Sequence, residues 1–375
     1  MPAEEFYVGL MSGTSMDGID AALADFSQST PRLIAHHHQP YPDELRNQLI
    51  ALCQPGENEI DRLGEADIQV AQAFADATLK LLERSDISPT VVRAIGSHGQ
   101  TLRHRPTFKH PFTLQIGDPN TLSQRTGITT VADFRRRDMA VQGQGAPLAP
   151  AFHKQLFLHP QINRVILNIG GIANITWLSA DPESQILGFD TGPGNTLLDH
   201  WIRTQRSMDY DSDGDWAASG KVIHELLACF HSDPFFEQPP PKSTGTDYFN
   251  LDWLSARSAT HSYAPQDVQA TLAELTARSI ATAITQYCST ADELLVCGGG
   301  VHNSDLMTRL ATQLPELKVS SSMRLGVDPD WIEAMAFAWL AKRTLEGKLG
   351  NLPATTGAEE AVILGGIYPA NPTDR

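Results

Sequence analysis

Residues suited to binding phosphate occur together in one short stretch near the start of the chain. The stretch comprises Gly13, Thr14, Ser15, Met16, Asp17, Gly18, Ile19 and Asp20. Glycines let a backbone approach a phosphate closely, and a tight turn points several N–H donors toward it. The hydroxyls of Thr14 and Ser15 can donate to phosphate oxygens, and Asp17 could hold Mg²⁺ through water. The same residue types are standard in an ordinary hairpin turn, so that alternative stays open.

Two further Gly-rich segments occur in the second half of the chain. One contains Asn168, Gly170, Gly171 and Asn174, and the other contains Gly298, Gly299 and Gly300. The first predicts a second phosphate turn, and the second could let a flat base or ribose lie against the backbone. The latter does not follow the G-x-G-x-x-G spacing of a dinucleotide fold. The chain also lacks G-x-x-x-x-G-K-[ST], which excludes a P-loop enzyme.

Asp190 is the candidate for acid–base chemistry. It lies at the predicted end of a short strand, before a turn rich in Gly and Pro. In α/β folds such positions expose catalytic carboxylates. A general base needs only to reach a water or hydroxyl within hydrogen-bond distance. The alternative is structural: Asp190 would be a turn residue or the cap of the helix predicted to begin near Asn195.

A polar segment between the two halves is suited to binding a carboxylate or hydroxyl groups. It contains Asp133, Arg135, Arg136 and Arg137, and Gln144 follows shortly after. Arginine presents a fork of donors that matches a carboxylate in two places. A run of arginines is more often a solvated face, and we expect at least one of the three to be solvated.

The elements that position these residues alternate between strand and helix, which predicts an α/β fold. Strands are predicted at 6–11, 19–26, 91–95, 129–132, 164–169, 173–178 and 293–297, and helices at 43–53, 59–83 and 266–287. Each half opens with two strands around a Gly-rich turn, and each later has a helix followed by a strand that ends in glycine. This similarity suggests an internal duplication, with two hairpins facing each other across a phosphate-binding cleft.

Length and composition limit the possible functions. At 375 residues, two domains are expected, and a formal charge of -16 disfavours nucleic acid as a partner. The first residues lack a signal-peptide pattern, and no run approaches the ~18 apolar residues of a membrane span. The four cysteines are scattered without metal-ligand spacing, as expected of reduced thiols in the cytoplasm.

The blocks described above, with SHGQT at 97–101 and KSTG at 242–245, resemble those of one known family, the anhydro-N-acetylmuramic acid kinases of bacterial peptidoglycan recycling. The resemblance extends from Val8 to about Ala358. The matching blocks read GTSxDGxD, SHGQT, ADFRxxD, GQGAPL, NIGGxxN, FDTGPGN, KSTG and CGGG. The resemblance implies a two-domain actin-like ATPase fold, that is, a duplicated ribonuclease H-like fold with a central nucleotide cleft. We expect domain I at 1–140 plus about 346–375, on the sugar and phosphate side, and domain II at 141–345, on the nucleotide side with the catalytic Asp.

The resemblance also implies an activity and the residues that carry it. The substrate is 1,6-anhydro-N-acetylmuramic acid, the cofactors are ATP and Mg²⁺, and a homodimer is expected, with no nucleic acid or membrane partner. Asp190 matches the catalytic aspartate, and Gly13 to Asp20 match the nucleotide turn. Substrate contacts are expected at Ser97, His98, Gln100, Asp133, Arg135, Arg137, Gln144 and Glu333. Glu333 could instead be a first-turn carboxylate that stabilises its helix, and the KSTG segment could shape the pocket or only form a loop.

Two other functions remain open on the residues alone. An Hsp70-like ATPase module would share the cleft and the Gly-rich turns, but it would not need the arginine cluster or Asp190. A conventional sugar kinase would use Asp190 to deprotonate an existing hydroxyl group. The residues alone do not separate this second reaction from the anhydro-sugar reaction, and only the family resemblance does.

Overall fold

The computed structural model describes residues 4–257 and 262–371. The chain divides into two compact units. Unit 1 comprises Met1–Leu156 with Trp331–Arg375, and unit 2 comprises Phe157–Asp330. The sequence-based boundaries differ, because they assigned residues 141–156 and 331–345 to the second domain. The helix at Ile332–Leu345 packs on the first strand of unit 1, which explains the difference at 331–345.

The described residues form twelve strands and fourteen α-helices. The strands are β1 Phe6–Ser12, β2 Gly18–Asp25, β3 Arg32–Pro40, β4 Val92–Arg105, β5 Phe112–Ile116, β6 Thr130–Ala132, β7 Arg164–Ile169, β8 Ile172–Leu178, β9 Leu187–Pro193, β10 Glu293–Cys297, β11 Lys318–Ser321 and β12 Gly366–Tyr368. The helices are α1 Asp43–Leu52, α2 Glu59–Arg84, α3 Pro119–Thr126, α4 Phe134–Ala140, α5 Ala149–Phe157, α6 Thr196–Arg206, α7 Asp215–Ala218, α8 His224–His231, α9 Pro234–Glu237, α10 Leu251–Arg257, α11 Pro265–Tyr287, α12 Ser304–Gln313, α13 Ile332–Leu345 and α14 Pro353–Thr356. Among them no helix has the length and apolarity needed to cross a membrane.

The two units contain the same five-stranded arrangement. In unit 1 the strand order is β3-β2-β1-β4-β6, with β12 beside β6 and β5 paired to β4. In unit 2 the order is β9-β8-β7-β10-β11. In unit 1, β2 pairs antiparallel with both β1 and β3, β4 pairs parallel with β1, and β6 pairs parallel with β4. In unit 2, β8 pairs antiparallel with both β7 and β9, β10 pairs parallel with β7, and β11 pairs parallel with β10. The α/β class and the internal duplication predicted from the sequence are therefore confirmed.

Strands β1 and β4 lie at the centre of unit 1, and residues on both faces of these strands are buried. Phe6, Val8 and Leu10 belong to a core that α2 covers with its apolar face. On the other face, Gly9 and Gly96 lie side by side in the β1–β4 pair. A Cβ on Gly9 would lie 1.8 Å from the Ala334 carbonyl oxygen of α13. The glycines therefore permit α13 to pack directly against the strand backbones.

The sequence-based elements agree with the structure where the hydrophobic pattern is strong. Strands β7 and β10 have the predicted limits, and α11 begins one residue earlier than predicted. Strand β4 continues to Arg105, beyond the predicted end at residue 95. Asp190 is not at the end of its strand, because β9 continues to Pro193. Its prediction as a strand-end residue was wrong, since pairing with β8 extends through the Gly/Pro segment.

Candidate active site

Three of the predicted residues form one row across the sheet of unit 2. Asn168 of β7 lies opposite Asn174 of β8, which lies opposite Asp190 of β9. Residues directly opposite each other on neighbouring strands share one face of a sheet. Leu167 and Ile169 flank Asn168 and belong to the hydrophobic core on the other face. The row is therefore a polar strip on the face away from that core.

Asp190 is held in this row by the segment that follows the Pro-rich loop. Its backbone N–H donates to the Lys242 carbonyl oxygen (3.1 Å), and its Oδ2 accepts the Thr244 backbone N–H (2.8 Å). The side chain is half-buried. Helix α6 begins at Thr196 after Asn195, and the Asp190 side chain binds the Thr244 amide of a different segment. The helix-cap alternative for Asp190 is therefore wrong.

The Gly-rich turn between β7 and β8 is joined to the start of α6. The Gly194 and Thr196 N–H groups donate to the Gly171 carbonyl oxygen, and the Asn195 N–H donates to that of Gly170. A Cβ on Gly194 would lie 2.4 Å from the Gly170 carbonyl oxygen. The turn and the residues after β9 therefore have a fixed relative position.

The three glycines after β10 differ in their surroundings. Gly298 has a φ of 77°, and a Cβ there would lie 2.3 Å from Oδ1 of Asn168. A Cβ on Gly300 would lie 2.3 Å from the Ile169 side chain. Gly299 is exposed, with no atom within 4 Å of its Cβ position. Packing therefore requires Gly298 and Gly300, whereas the backbone at Gly299 borders open space.

In unit 1, the turn between β1 and β2 presents its hydroxyl and carboxylate groups to solvent. Thr14, Ser15 and Asp17 are exposed, and Ser15 Oγ donates to Asp17 Oδ1 (2.8 Å). Met16 adopts a φ of 54° and its side chain is buried. Gly13 is half-buried, while Gly18 and Ile19 are buried where β2 begins. The exposed hydroxyl groups can donate hydrogen bonds to phosphate, and the Asp17 carboxylate suits hydrated Mg²⁺, which prefers oxygen ligands.

The Gln100 side chain forms hydrogen bonds at the base of this turn. It is fully buried, its Nε2 donates to the Gly13 carbonyl oxygen (3.1 Å), and its Oε1 accepts the Ser12 hydroxyl (2.7 Å). Ser12 Oγ also lies 2.7 Å from the Gly18 carbonyl oxygen. The Gln100 amide is thus engaged in fixing the two ends of the turn, and sequence reasoning missed the role of Ser12.

Arg135 is the arginine of the cluster that is held in place. Both its Nε (3.1 Å) and Nη2 (2.9 Å) donate to Nε2 of His98, and its Nη1 donates to the Gly145 carbonyl oxygen (2.8 Å). His98 is buried and packs against the Phe337 ring, 4.7 Å between centroids. Burial, with Arg135 beside it, holds the pKa of His98 well below its usual value. His98 is therefore a neutral acceptor that orients the guanidinium.

Glu333 lies in the first turn of α13, close to the same groups. Burial raises the pKa of Glu333, the Asp20 carboxylate raises it further, and the Arg135 guanidinium opposes both. Asp20 is itself half-buried and lies 2.7 Å from Nδ1 of His38. The end of the β1–β2 turn, the arginine cluster and α13 therefore contribute to one polar group in unit 1.

The remaining predicted substrate contacts have mixed surroundings. Asp133 pairs with Arg136, and Arg137 is exposed, as expected of a partly solvated face. Ser97 is buried within β4. Gln144 is half-buried, and its backbone N–H donates to the Thr356 carbonyl oxygen.

Asp138 organises this loop and was not predicted as a site residue. It is fully buried, its Oδ2 accepts the Gly145 N–H (2.8 Å), and its Oδ1 accepts from Asn351 and Thr356 (2.7 Å each). Its position as the last residue of the ADFRxxD block is the sequence signal that could have identified it as a site residue. Through Asp138 the loop has a fixed position next to Arg135.

Gly-rich turns with exposed hydroxyl groups and a fixed carboxylate are groups that a phosphoryl-transfer enzyme can use. The family model for anhydro-N-acetylmuramic acid kinase matches residues 5–370. A kinase of that description from Coxiella burnetii (strain Dugway 5J108-111) is 54% identical over 98% of each chain. Another, from Shewanella amazonensis, is 52% identical over 98% of this chain and all of the relative. The chain belongs to the anhydro-N-acetylmuramic acid kinase family.

Two solved structures show a weaker likeness. The ADPNP-bound activator of 2-hydroxyisocaproyl-CoA dehydratase from Clostridium difficile has a TM-score of 0.46 and 12% identity, covering 91% of this chain and 97% of its own. A ROK family glucokinase from Streptomyces griseus has a TM-score of 0.41 and 12% identity, covering 90% and 99%. Membership of a kinase family itself implies ATP as phosphoryl donor and a small sugar as acceptor.

Proposed function

We propose that the protein opens the 1,6-anhydro bridge of 1,6-anhydro-N-acetylmuramic acid with water and phosphorylates the released O6. The product would be N-acetylmuramic acid 6-phosphate, formed during peptidoglycan recycling. Family membership supports the substrate class. The observation that carries the chemistry is the Asp190 carboxylate, half-buried in a polar row and fixed by the Thr244 N–H. A fixed carboxylate is what a general base requires.

Asp190 would act as the base for the hydrolytic step. Its carboxylate takes a proton from a water molecule behind C1, the water oxygen bonds to C1, and the C1–O6 bond breaks with its electron pair passing to O6. ATP, when bound, supplies the phosphoryl group that O6 takes up. Because one Asp190 oxygen accepts the Thr244 N–H, the carboxylate keeps a defined orientation toward the water.

The exposed groups of the β1–β2 turn fit a nucleotide with Mg²⁺. We assign Gly13, Thr14 and Ser15 to the phosphates and Asp17 to hydrated Mg²⁺, which neutralises phosphate charge. In unit 2 we assign the turn at Gly170 and Gly171, with Asn168 and Asn174, to phosphate binding. Gly299 would lie against the base or ribose.

Arg135 and Glu333 are the residues we assign to direct contact with the sugar. Arg135 is oriented by two partners and carries a guanidinium suited to the lactyl carboxylate of the substrate. Gln144, Asp133 and Arg137 remain candidates for further contacts. We assign indirect roles to His98, which orients Arg135, and to Gln100, which binds the nucleotide turn.

We further propose that the enzyme is a cytoplasmic homodimer. The four cysteines are free thiols in the structure, which is in keeping with a reducing compartment. The dimer follows from the family resemblance alone. Light scattering at several protein concentrations would measure the mass in solution, and a constant monomer mass would contradict this part of the proposal.

A coupled ADP-release assay with different acceptors tests the proposed function. We expect ADP only when 1,6-anhydro-N-acetylmuramic acid and Mg²⁺ are present. N-Acetylmuramic acid, which lacks the bridge but has a free 6-hydroxyl, is the matched control. Equal rates with both sugars would indicate a conventional sugar kinase. ADP release independent of any sugar would indicate an ATPase module and would overturn the proposal.

A further inference from the structure

The hairpin of β4 and β5 carries polar side chains that none of the sites assigned above includes. Gln115 of β5 lies directly opposite Thr101 of β4. The neighbours of Gln115, Leu114 and Ile116, pack into the core that α2 covers. Because successive side chains of a strand alternate between faces, Gln115 points to the other face of the sheet. Thr101 shares that face with Gln115.

The same face carries the arginine site of unit 1. His98 lies three residues before Thr101 on β4, packs against Phe337 of α13 and binds Arg135. Helix α4, which contains Arg135, packs against β5. Gln115 and Thr101 therefore lie on the side of the sheet where we assign contacts with the sugar.

The Gln115 amide has a defined orientation. Its Nε2 donates to the hydroxyl oxygens of Thr101 (3.1 Å) and Thr113 (2.7 Å), which uses both of its N–H groups. Thr113 is buried and donates its own hydrogen to the Arg103 carbonyl oxygen (3.3 Å), so it accepts from Gln115. Gln115 is half-buried, and within residues 4–257 and 262–371 no protein group donates to its Oε1.

The Thr101 hydroxyl group also keeps bonding capacity. It accepts from Gln115, and its own hydrogen has no acceptor in the described part of the chain. Thr101 is half-buried. The Gln115–Thr101 pair therefore presents one acceptor and one donor. A hydroxyl group, which both donates and accepts, is the complement of such a pair.

The substrate of the proposed function has one hydroxyl group on its ring. One oxygen bridges C1 and C6, O3 carries the lactyl group and C2 carries the acetamido group, which leaves the hydroxyl group at C4. C4 adjoins C3, whose lactyl carboxylate we assign to Arg135. The 4-hydroxyl group is therefore next to the group that Arg135 would hold.

We propose that Gln115 and Thr101 form a subsite for the 4-hydroxyl group of the sugar, with Gln115 Oε1 accepting its hydrogen and the Thr101 hydroxyl donating to its oxygen. This inference rests on the proposed function, because it takes the anhydro sugar as the substrate. The pair would make the enzyme select sugars whose 4-hydroxyl group is free.

The test compares kcat/KM for 1,6-anhydro-N-acetylmuramic acid and for its 4-deoxy analogue, with the full-length enzyme. The unmodified enzyme should prefer the natural sugar by about tenfold or more, because the analogue leaves both protein groups without a partner. In Gln115→Met, kcat/KM for the natural sugar should fall and the preference should shrink to less than about threefold. Thr101→Val removes the donor alone and should reduce the preference in the same direction.

Gln39→Met is the matched control. Gln39 is a half-buried glutamine of the same sheet, but its Nε2 donates to the Ala73 carbonyl oxygen (3.2 Å) and its Oε1 accepts from Lys80 (3.0 Å). Its substitution should leave the preference between the two sugars unchanged. Circular dichroism and ADP release with the natural sugar establish that each variant is folded.

The preference between the sugars separates binding from a structural role. If Gln115 only braced the hairpin, its substitution would lower kcat/KM equally for both sugars, and the preference would persist in Gln115→Met and Thr101→Val. That result would overturn the inference, as would equal kcat/KM for both sugars in the unmodified enzyme, because the pair would then bind solvent alone. Absence of any sugar-dependent ADP release in the unmodified enzyme would contradict the proposed function itself. Turnover of the natural sugar without the expected change in preference would contradict only the subsite.

Discussion

Substitution of Gly9 by alanine tests how the fold positions the candidate site. The new Cβ would lie 1.8 Å from the Ala334 carbonyl oxygen, whereas real contacts of this kind are at least 3.0 Å. Helix α13 must therefore move away from β1 by more than ~1 Å. Such overpacking costs about 1–3 kcal/mol of unfolding free energy. For a unit of this size, that lowers the melting temperature by roughly 2–12 °C.

The same movement displaces Glu333, which directly precedes Ala334 on α13. A misplacement of about 1 Å in a catalytic site can cost up to ~10²-fold in rate. We therefore expect Gly9→Ala to lower kcat/KM for the sugar as well as the melting temperature. Scanning calorimetry and steady-state kinetics measure the two effects.

Gly64→Ala is the matched control for this experiment. Gly64 is exposed within α2, and no atom lies within 4 Å of its Cβ position. Alanine there should stabilise the helix by up to about 1 kcal/mol and leave the kinetics unchanged. Equal melting temperatures and equal kcat/KM for Gly9→Ala and the unmodified enzyme would refute the reasoning, because α13 would then not rest on the glycine.

Three further predictions concern single side chains. Asp190→Asn should lower kcat by about 10²–10⁴-fold in the ADP assay while calorimetry shows unchanged ATP binding, and near-normal activity would contradict its role as base. Arg135→Lys cannot reproduce the two donors to His98, so the KM for the sugar should rise by about tenfold or more, and an unchanged KM would exclude sugar contact. Burial raises the pKa of the Asp25 carboxyl, but hydrogen bonds from Ser27, Glu5 and Arg32 outweigh burial and hold the pKa below its usual value. Asp25→Asn should therefore destabilise the protein by about 1–3 kcal/mol above pH ~4. This difference should diminish as the pH falls further and Asp25 is protonated, and a urea-unfolding difference that is the same at pH 7 and pH 3 would contradict it.

The regular elements could be predicted because their residues follow clear hydrophobic patterns. Strands β7 and β10 contain apolar runs at 165–167 and 294–297, and α11 has a helical period over its length. Strand β3 was not predicted, because its residues include three successive histidines and are mostly exposed or half-buried. The extension of β9 beyond Asp190 depends on pairing with β8, which no local pattern reveals.

The candidate site could be predicted as residue types but not as roles. The motifs identified His98 and Gln100 as polar residues that follow a predicted strand, and only the structure shows that their side chains bind Arg135 and Gly13. Asp138 binds the side chains of Asn351 and Thr356, which are 213 and 218 positions away in the sequence, so no local pattern reveals these partners. Such contacts depend on long-range packing.

The origin of the oxygen at C1 of the product tests the central proposal most directly. The enzyme would be supplied with 1,6-anhydro-N-acetylmuramic acid, Mg²⁺ and ATP in ¹⁸O-labelled water, and the product analysed by mass spectrometry and NMR. The account predicts one ¹⁸O atom at C1 of N-acetylmuramic acid 6-phosphate, with the original oxygen retained at O6. A phosphorylated product without ¹⁸O at C1, or with the anhydro bridge intact, would contradict hydrolytic opening by water activated at Asp190.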